Sequence, residues 1–482
     1  MTLGTIGSAV RSDVVPESQT NLAGDLLVEL QQAANGPLHE RLTRALRAAV
    51  NQGRLPVGSV LPPSRTLAAD LGCSRWAVTE AYAQLVTEGY LESRTGSGTT
   101  VRWSAAPEPA GSPPARPTPG RTLMDLAPGL PDLRAFPRSR WADAVAAATR
   151  TATFSDLGYP DATGHRQLKR VLAAHLERAR AASTRHSDVR VTRGVSSFLP
   201  VLCRVLADEG VSAVAVEDPG WTRLHQLIRD SGVRTVPVPV DDEGLVVDRL
   251  AGSGCRAALV TAAHHFPAGV VLTARRRAQL LDWAREVDGF VLEDDYDSEF
   301  RYDRAPVSTL QGMDPSRVVL LGSLSKTLSP ALGIGWAVTP RRLAAFRLPL
   351  DAPTPGTIEQ LAFASLVQTG AYDRHLRATR RRYLASHDAL ITALRRELPE
   401  CDIGGAAAGL HLLLRLPDGV DAAAVVAAAR ARGVATTSLG AYCVVAAEHD
   451  AALVLGYGNL ADADLPRAVS ALAAAVRETT AA

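Results

Sequence analysis

Val318-Val-Leu-Leu-Gly-Ser-Leu-Ser-Lys-Thr-Leu-Ser329 begins as an apolar run and ends in a loop of small, hydroxyl-bearing residues. A short valine and leucine run stopped by glycine and serine reads as a buried strand. The loop after it carries Lys326. Lysine and arginine together number 52, yet only two are lysines, Lys169 and Lys326. Lys169 lies in an arginine-rich amphipathic stretch, His165-Arg-Gln-Leu-Lys-Arg-Val-Leu172, where either cation would serve. At Lys326 a primary amine can do what a guanidinium cannot: shed its proton and bond covalently to an aldehyde carbon.

Working outward, strand and helix patterns alternate from residue 121 onward, the mark of an α/β fold with a mainly parallel sheet. Strands are expected at 213–216, 234–238, 257–261, 290–293, 318–321 and 336–338. Helices are expected near 164–181, 197–207, 220–231 and 273–287, with a long helical series from about 357 to 397. The alanine-rich runs near 421–431 and 469–476 are broken by Arg, Gly or Glu and read as amphipathic helices.

The whole chain has 482 residues, more than the roughly 250–300 at which one core stops growing, so at least two domains are expected. Hydrophobic residues make up 46% and charged residues 21%, a globular balance. The formal net charge is only +2, so nucleic-acid binding would need a local basic surface. The five cysteines are scattered without a C-x-x-C, which argues against a disulfide framework or zinc site and suits a reducing compartment. With no apolar segment long enough to span a bilayer, a cytoplasmic protein without membrane association is expected.

Upstream, a helical period from Leu38 places Leu42, Leu46, Ala49 and Val50 on one face, ending at Gly53. Ser64 is expected to cap a second helix that stops at Gly72, and Ser74 a third that ends at Gly89. The tight turn between them makes a helix-turn-helix. Tyr90–Arg94, the turn Thr95-Gly-Ser-Gly98 and Thr99–Trp103 then read as a hairpin wing. The outer face of the third helix carries Arg75, Trp76 and Thr79, while Arg65 opens the second helix and Arg94 flanks the wing. Residues 1–24 read as a flexible N-terminus, 25–103 as this winged domain, and the Pro-rich stretch 104–120 as a semi-stiff linker to the domain at 121–482.

Leu61-Pro-Pro-Ser-Arg-Thr-Leu-Ala-Ala-Asp-Leu-Gly-Cys-Ser-Arg-Trp-Ala-Val-Thr-Glu-Ala-Tyr82, with Gly96-Ser-Gly-Thr-Thr-Val101, resembles the GntR-type DNA-binding domain. The resemblance implies that Arg65, Ser74, Arg75, Trp76, Thr79 and Gly96 lie near double-stranded DNA, and Arg94 flanks a wing whose glycines allow a phosphate backbone to approach closely. Trp76 stands where such domains usually carry a small polar residue.

Four polar clusters follow candidate strands: Glu217-Asp-Pro-Gly-Trp-Thr-Arg223, Thr261-Ala-Ala-His-His-Phe-Pro-Ala-Gly269, Glu293-Asp-Asp-Tyr-Asp-Ser-Glu-Phe-Arg-Tyr302 and Gly322-Ser-Leu-Ser-Lys326. Ligands of open α/β sheets collect beyond the carboxyl ends of strands. A metal site is not expected, since neighbouring carboxylates on an extended chain point to opposite faces and no H-x-x-x-H spacing occurs. Nor is the last cluster a P-loop. Pyridoxal phosphate fits all four: it needs a lysine amine, a carboxylate at its pyridine nitrogen, a flat cover, a donor to its phenolate oxygen, and hydroxyl and N–H groups for its phosphate.

Residues 121–482 resemble the fold type I aminotransferases, and most closely the MocR branch of GntR regulators (GabR-like and PdxR-like proteins). The landmarks are Gly129-Leu-Pro-Asp132, Leu157-Gly-Tyr-Pro-Asp161 and the four clusters. The resemblance implies that Lys326 bonds the cofactor aldehyde and that Asp294 pairs with the ring nitrogen. It further implies that Tyr296 and His264 serve the phenolate oxygen, that Ser196, Ser323 and Ser325 serve the phosphate, and that Trp221 borders the ring. Arg223 matches a position that grips a ligand carboxylate.

Two departures stand out. The family commonly has an arginine seven residues after the lysine, where this chain has Gly333; and Leu455-Gly-Tyr-Gly-Asn-Leu460 lacks the arginine that aminotransferases place there for a substrate carboxylate. The resulting expectation is a homodimeric, DNA-binding transcriptional regulator that senses pyridoxal phosphate or an amino compound as small-molecule effector, and is not an enzyme. The alternative is a working aminotransferase with a vestigial DNA-binding domain.

Overall fold

The computed structural model describes residues 36–94, 98–103, 123–302, 307–344, 353–444 and 451–480. They divide into an N-terminal unit within 1–118 and a C-terminal unit within 119–482. Gly96 and residues 1–24 and 104–120, expected as a flexible N-terminus and a linker, lie outside the described residues.

The N-terminal unit comprises α1 (Leu38–Asn51), β1 (Val60–Leu61), α2 (Ser64–Asp70), α3 (Arg75–Thr87), β2 (Leu91–Arg94) and β3 (Gly98–Val101). Leu42, Leu46, Val50, Leu67, Val78, Ala81 and Leu85 form its core, where each buried large side chain stabilises by about 1.5–3 kcal/mol over exposure. Ser74 caps α3, its hydroxyl accepting from the Ala77 amide at 3.3 Å. The expected Ser64 cap is corrected. Ser64 is already helical, and the cap position falls to Pro63, whose carbonyl accepts from the Thr66 and Leu67 amides at 2.9 and 3.0 Å. The extended φ/ψ of Pro63 sets that boundary without any side-chain cap. β3 pairs antiparallel with β2 on one side and β1 on the other, so the wing has a third strand that Val60-Leu61 is too short to announce.

In the C-terminal unit, β4 (Met124–Asp125), α4 (Arg138–Thr151), α5 (Arg166–Arg180), β5 (Val189–Thr192) and α6 (Val195–Asp208) come first. Next are β6 (Ala213–Asp218), α7 (Thr222–Asp230), β7 (Arg234–Asp241), β8 (Gly244–Leu245), β9 (Ala257–Val260), α8 (Ala274–Glu286) and β10 (Phe290–Asp294). After α9 (Leu310–Met313) come β11 (Val318–Ser323), β12 (Gly335–Val338), α10 (Arg341–Ala344), α11 (Thr357–Gln368) and α12 (Ala371–Glu397). The chain closes with β13 (Asp402–Gly404), β14 (His411–Arg415), α13 (Ala422–Ala431), β15 (Val434–Ala435), β16 (Thr437–Ser438), β17 (Ala452–Gly456) and α14 (Leu465–Thr480).

Eight strands form one sheet in the order β5-β12-β11-β10-β9-β6-β7-β8. The run β11-β10-β9-β6-β7 is parallel, while β12 is antiparallel to both its neighbours. Along β6, Val214 and Val216 pack with α6 and α7, and Ala213 and Ala215 face the opposite core beside Leu280 and Leu281 of α8. Burial on both faces explains why these strands read as continuous apolar runs. A second, antiparallel sheet has the order β13-β14-β17-β16, and β4 pairs with β15. No described helix is long and apolar enough to cross a membrane.

Candidate functional site

Four neighbouring strands, β11, β10, β9 and β6, end at one edge of the large sheet, and the four polar clusters leave from those ends. Asp294 is the last residue of β10, in register with Leu321 of β11, and Glu293 is in register with Val260 of β9. The loop after β11 turns back on itself through a Leu324 amide to Ile334 carbonyl bond of 2.9 Å and carries Lys326. The Lys326 amine donates to the Gly129 carbonyl. Beneath it is a cavity of about 310 Å³, lined by Lys326, Asp294, Tyr296, Trp221, Glu217, Thr261 and His411 among apolar walls such as Leu259, Phe266 and Leu410.

The electrostatics of this cavity come mainly from burial. Asp294, 5% exposed, is pushed up to about 7 by desolvation and by the Asp295 and Asp297 charges, with Lys326 pulling the other way. Its Oδ1 is buried without a partner. Desolvation draws the Lys326 amine below its ordinary value, opposed by Asp297 and Asp294. Glu217 is pushed up to about 8 by burial, although its Oε2 accepts from the Thr261 amide at 3.0 Å and hydroxyl at 2.7 Å. Burial and His264 lower His265 to about 3. Near neutral pH the 3.5 Å contact of His265 Nε2 with Glu217 Oε2 therefore joins uncharged groups rather than an ion pair.

Behind the cavity wall, His264 Nδ1 lies 2.8 Å from Asp297 Oδ2 and 3.3 Å from the Tyr296 hydroxyl. Burial and the Asp297 charge raise the Tyr296 phenol well above its ordinary value, so it stays protonated and able to donate. Gly409 makes this packing possible: a Cβ there would lie 2.2 Å from His264 Cε1 and 2.5 Å from Asp297 Oδ2. The ligand-capable atoms of His264, Asp297 and His411 lie within 4.8 Å of one another. His264 Nδ1 is engaged with Asp297 and His411 Nε2 with the Pro267 carbonyl at 3.1 Å, while His264 Nε2 is buried without a hydrogen-bond partner.

Of the residues singled out from sequence, Lys326, Asp294, Tyr296 and Trp221 line the cavity, Trp221 at its border and 40% exposed. His264 stands behind Tyr296. Ser323 ends β11, Ser325 follows it, and Ser196 lies in the first turn of α6; none of the three is on the cavity wall. Arg223 is exposed on α7 and is also absent from the lining. Sequence reasoning left Gly129, Thr261, His411 and Tyr442 unassigned as cavity residues. Gly129 and Thr261 stand inside quoted stretches, but His411 and Tyr442 arrive from the second sheet and its loops with no local signal.

In the N-terminal unit, Arg75, Trp76 and Thr79 sit on the exposed face of α3, opposite the buried Val78, Ala81, Tyr82 and Leu85. Trp76 is 63% exposed and meets His39 edge-on, ring centroids 5.1 Å apart. The Thr79 hydroxyl donates to the Arg75 carbonyl at 2.9 Å. Arg65 is exposed at the start of α2, and Arg94 reaches Glu92 at 3.1 Å along the edge of the wing.

The family model for aminotransferase class I and II matches residues 121–472, and that for bacterial regulatory proteins of the gntR family matches 38–101. The probable rhizopine catabolism regulatory protein MocR of Rhizobium meliloti is 32% identical over 477 residues, covering 93% of this chain and 96% of that protein. The pyridoxine biosynthesis transcriptional regulator PdxR of Corynebacterium glutamicum is 32% identical over 448 residues, covering 91% and 96%. Among solved structures, the kynurenine aminotransferase of Pyrococcus horikoshii superposes with a TM-score of 0.67 at 25% identity, covering 74% of this chain and 92% of that one. The α-aminoadipate aminotransferase LysN of Thermus thermophilus gives 0.67 at 25% identity, covering 75% and 94%.

Proposed function

Because the chain belongs to the GntR-family regulators of the MocR type, which join a gntR-family domain to an aminotransferase class I and II domain, we propose that it is a transcriptional regulator whose C-terminal unit binds pyridoxal phosphate. The observation that carries the cofactor reading is Asp294. A buried carboxyl with an unpartnered oxygen, on the wall of the same cavity as a desolvated lysine, is costly unless a ligand donor completes it.

Pyridoxal phosphate, when bound, supplies an aldehyde conjugated to an electron-withdrawing ring. Lys326 holds the aldehyde end; its lowered amine sheds a proton more easily than a surface lysine does. Asp294 accepts from the ring nitrogen, and the Tyr296 hydroxyl, oriented by His264, donates to the phenolate oxygen. Trp221 borders the ring. Ser196, Ser323 and Ser325, with the N-terminus of α6, serve the phosphate.

The segment 25–103 is the DNA-binding domain, 104–120 the tether and 121–482 the effector domain. Arg75, Trp76 and Thr79 face the major groove, and Arg65, Ser74, Arg94 and Gly96 contact the backbone around it. Binding of cofactor or a small amino compound favours one arrangement of the effector domain over another, and the tether passes that preference to the DNA-binding half. A homodimer reading two half-sites in the cytoplasm follows from this reading. Titration of the full-length protein with pyridoxal phosphate tests it: a visible absorbance band that Lys326→Ala lacks supports the site, and no band in either protein refutes it.

A further inference from the structure

Position 333, where the resemblance leads to an arginine being expected, is a glycine here, and the space its side chain would enter is already filled by a cation. A Cβ on Gly333 would meet Arg193 Nη2 at 3.5 Å, Nε at 3.6 Å and Cζ at 3.9 Å, so the Arg193 guanidinium lies flat against that glycine. Arg193 reaches it from a different strand. It directly follows β5, which pairs with β12, and Gly335 of β12 faces Thr192 on one side and Ser323 on the other. β5 and β11 therefore run parallel and end at the same sheet edge, with Arg193 leaving one end and the Lys326 loop leaving the other.

That edge is packed tightly enough to fix the arrangement. A Cβ at Gly335 would lie 2.6 Å from Gly194 Cα, so the glycine pair draws the Arg193-Gly194 corner onto the start of β12. Gly194 is the N-cap of α6 and gives that helix no side-chain cap. The first α6 amides thus emerge one residue away from Arg193, with Ser196 beside them. Arg193 is exposed at this edge, and among the described residues its guanidinium has no hydrogen bond and no ion pair, whereas those of Arg180, Arg276 and Arg342 each hold a carboxylate. A five-donor planar cation held on a glycine shelf beside a helix N-terminus is arranged for an anion.

We infer that Arg193 is the phosphate-binding arginine of this chain, supplied by the β5–α6 corner in place of a residue at 333. The inference rests on the cofactor reading above and assigns one residue within it. Arg193 holds the phosphate as a charge-assisted donor and takes no part in chemistry at the aldehyde.

The test compares pyridoxal phosphate with pyridoxal, which lacks the phosphate, in full-length protein freed of cofactor, following the visible absorbance of each complex. Arg193→Ala should weaken pyridoxal phosphate roughly 10- to 100-fold, the range for a lost hydrogen-bonded charge, and leave pyridoxal unchanged. Arg193→Lys, which keeps a charge but not the fork, should recover part of the loss. Unaltered affinity of Arg193→Ala for pyridoxal phosphate would overturn the assignment, as would an equal loss for both compounds. Should the wild-type protein give no band, the cofactor reading falls and the arginine assignment with it; a wild-type band with an indifferent Arg193→Ala removes the assignment alone.

Discussion

Asp294 and Lys326, on the wall of one cavity, set each other's charge: Lys326 draws the Asp294 carboxyl down, and Asp294 with Asp297 holds the Lys326 amine up. Burial opposes both and is the larger effect on each, leaving the carboxyl at about 7 and the amine below its ordinary value. A cavity poised this way keeps a proton acceptor and a nucleophile available together near neutrality.

The raised carboxyl makes stability depend on pH. Asp294 titrates at about 7 in the folded chain, above the ~3.9 of an unfolded aspartate, so the folded state keeps its proton longer. Stability is then unaffected by this group below the unfolded value and declines by about 1.4 kcal/mol per pH unit between the two. In cofactor-free protein, Asp294→Asn should abolish this part of the decline. The difference in melting temperature, variant minus wild type, should grow by a few degrees between pH 5 and pH 7. A difference that stays constant or shrinks contradicts the burial of an unpaired carboxyl.

Gly409 carries the packing behind Tyr296. Its φ is +68°, and an added Cβ would fall 2.3 Å from His264 Nδ1, between two buried side chains. Gly409→Ala should destabilise by about 1–3 kcal/mol and, by displacing His264, weaken cofactor binding as well. Thermal melting and an absorbance titration measure the two effects; a variant with wild-type stability would show that the His264–Asp297 contact is not held by this close approach.

The parallel sheet was legible because β6, β9, β10 and β11 are buried on both faces and so spell unbroken apolar runs. The helices after them carried clear periods. The second sheet was not legible: β13, β16 and β17 are strands of two to five residues, and nothing local distinguishes Thr437-Ser438 from a loop. β5 was missed because its four residues pair with β12, more than a hundred residues further along the chain, and with it went the position of Arg193. Likewise, the clusters around Asp294 and Lys326 could be read at strand ends, but that His411 joins them depends on packing between β14 and the loop at Pro267.

On the DNA side, Arg75 stands at the first position of α3 on its exposed face, with no acidic residue paired to its guanidinium among the described residues. Arg75→Ala should weaken binding to the region upstream of the protein's own coding sequence roughly 5- to 100-fold in a gel-shift titration at fixed salt, with the fold of the domain retained. Equal binding by variant and wild type would remove α3 as the recognition helix.

The claim that the two halves act together is tested most directly by DNA affinity measured with and without pyridoxal phosphate, in wild type and in Lys326→Ala. Pyridoxal phosphate should shift the affinity of the wild-type protein for its upstream region and leave that of Lys326→Ala unmoved. An identical affinity in the presence and absence of cofactor, for wild-type protein that has bound it, would show that the two halves do not communicate.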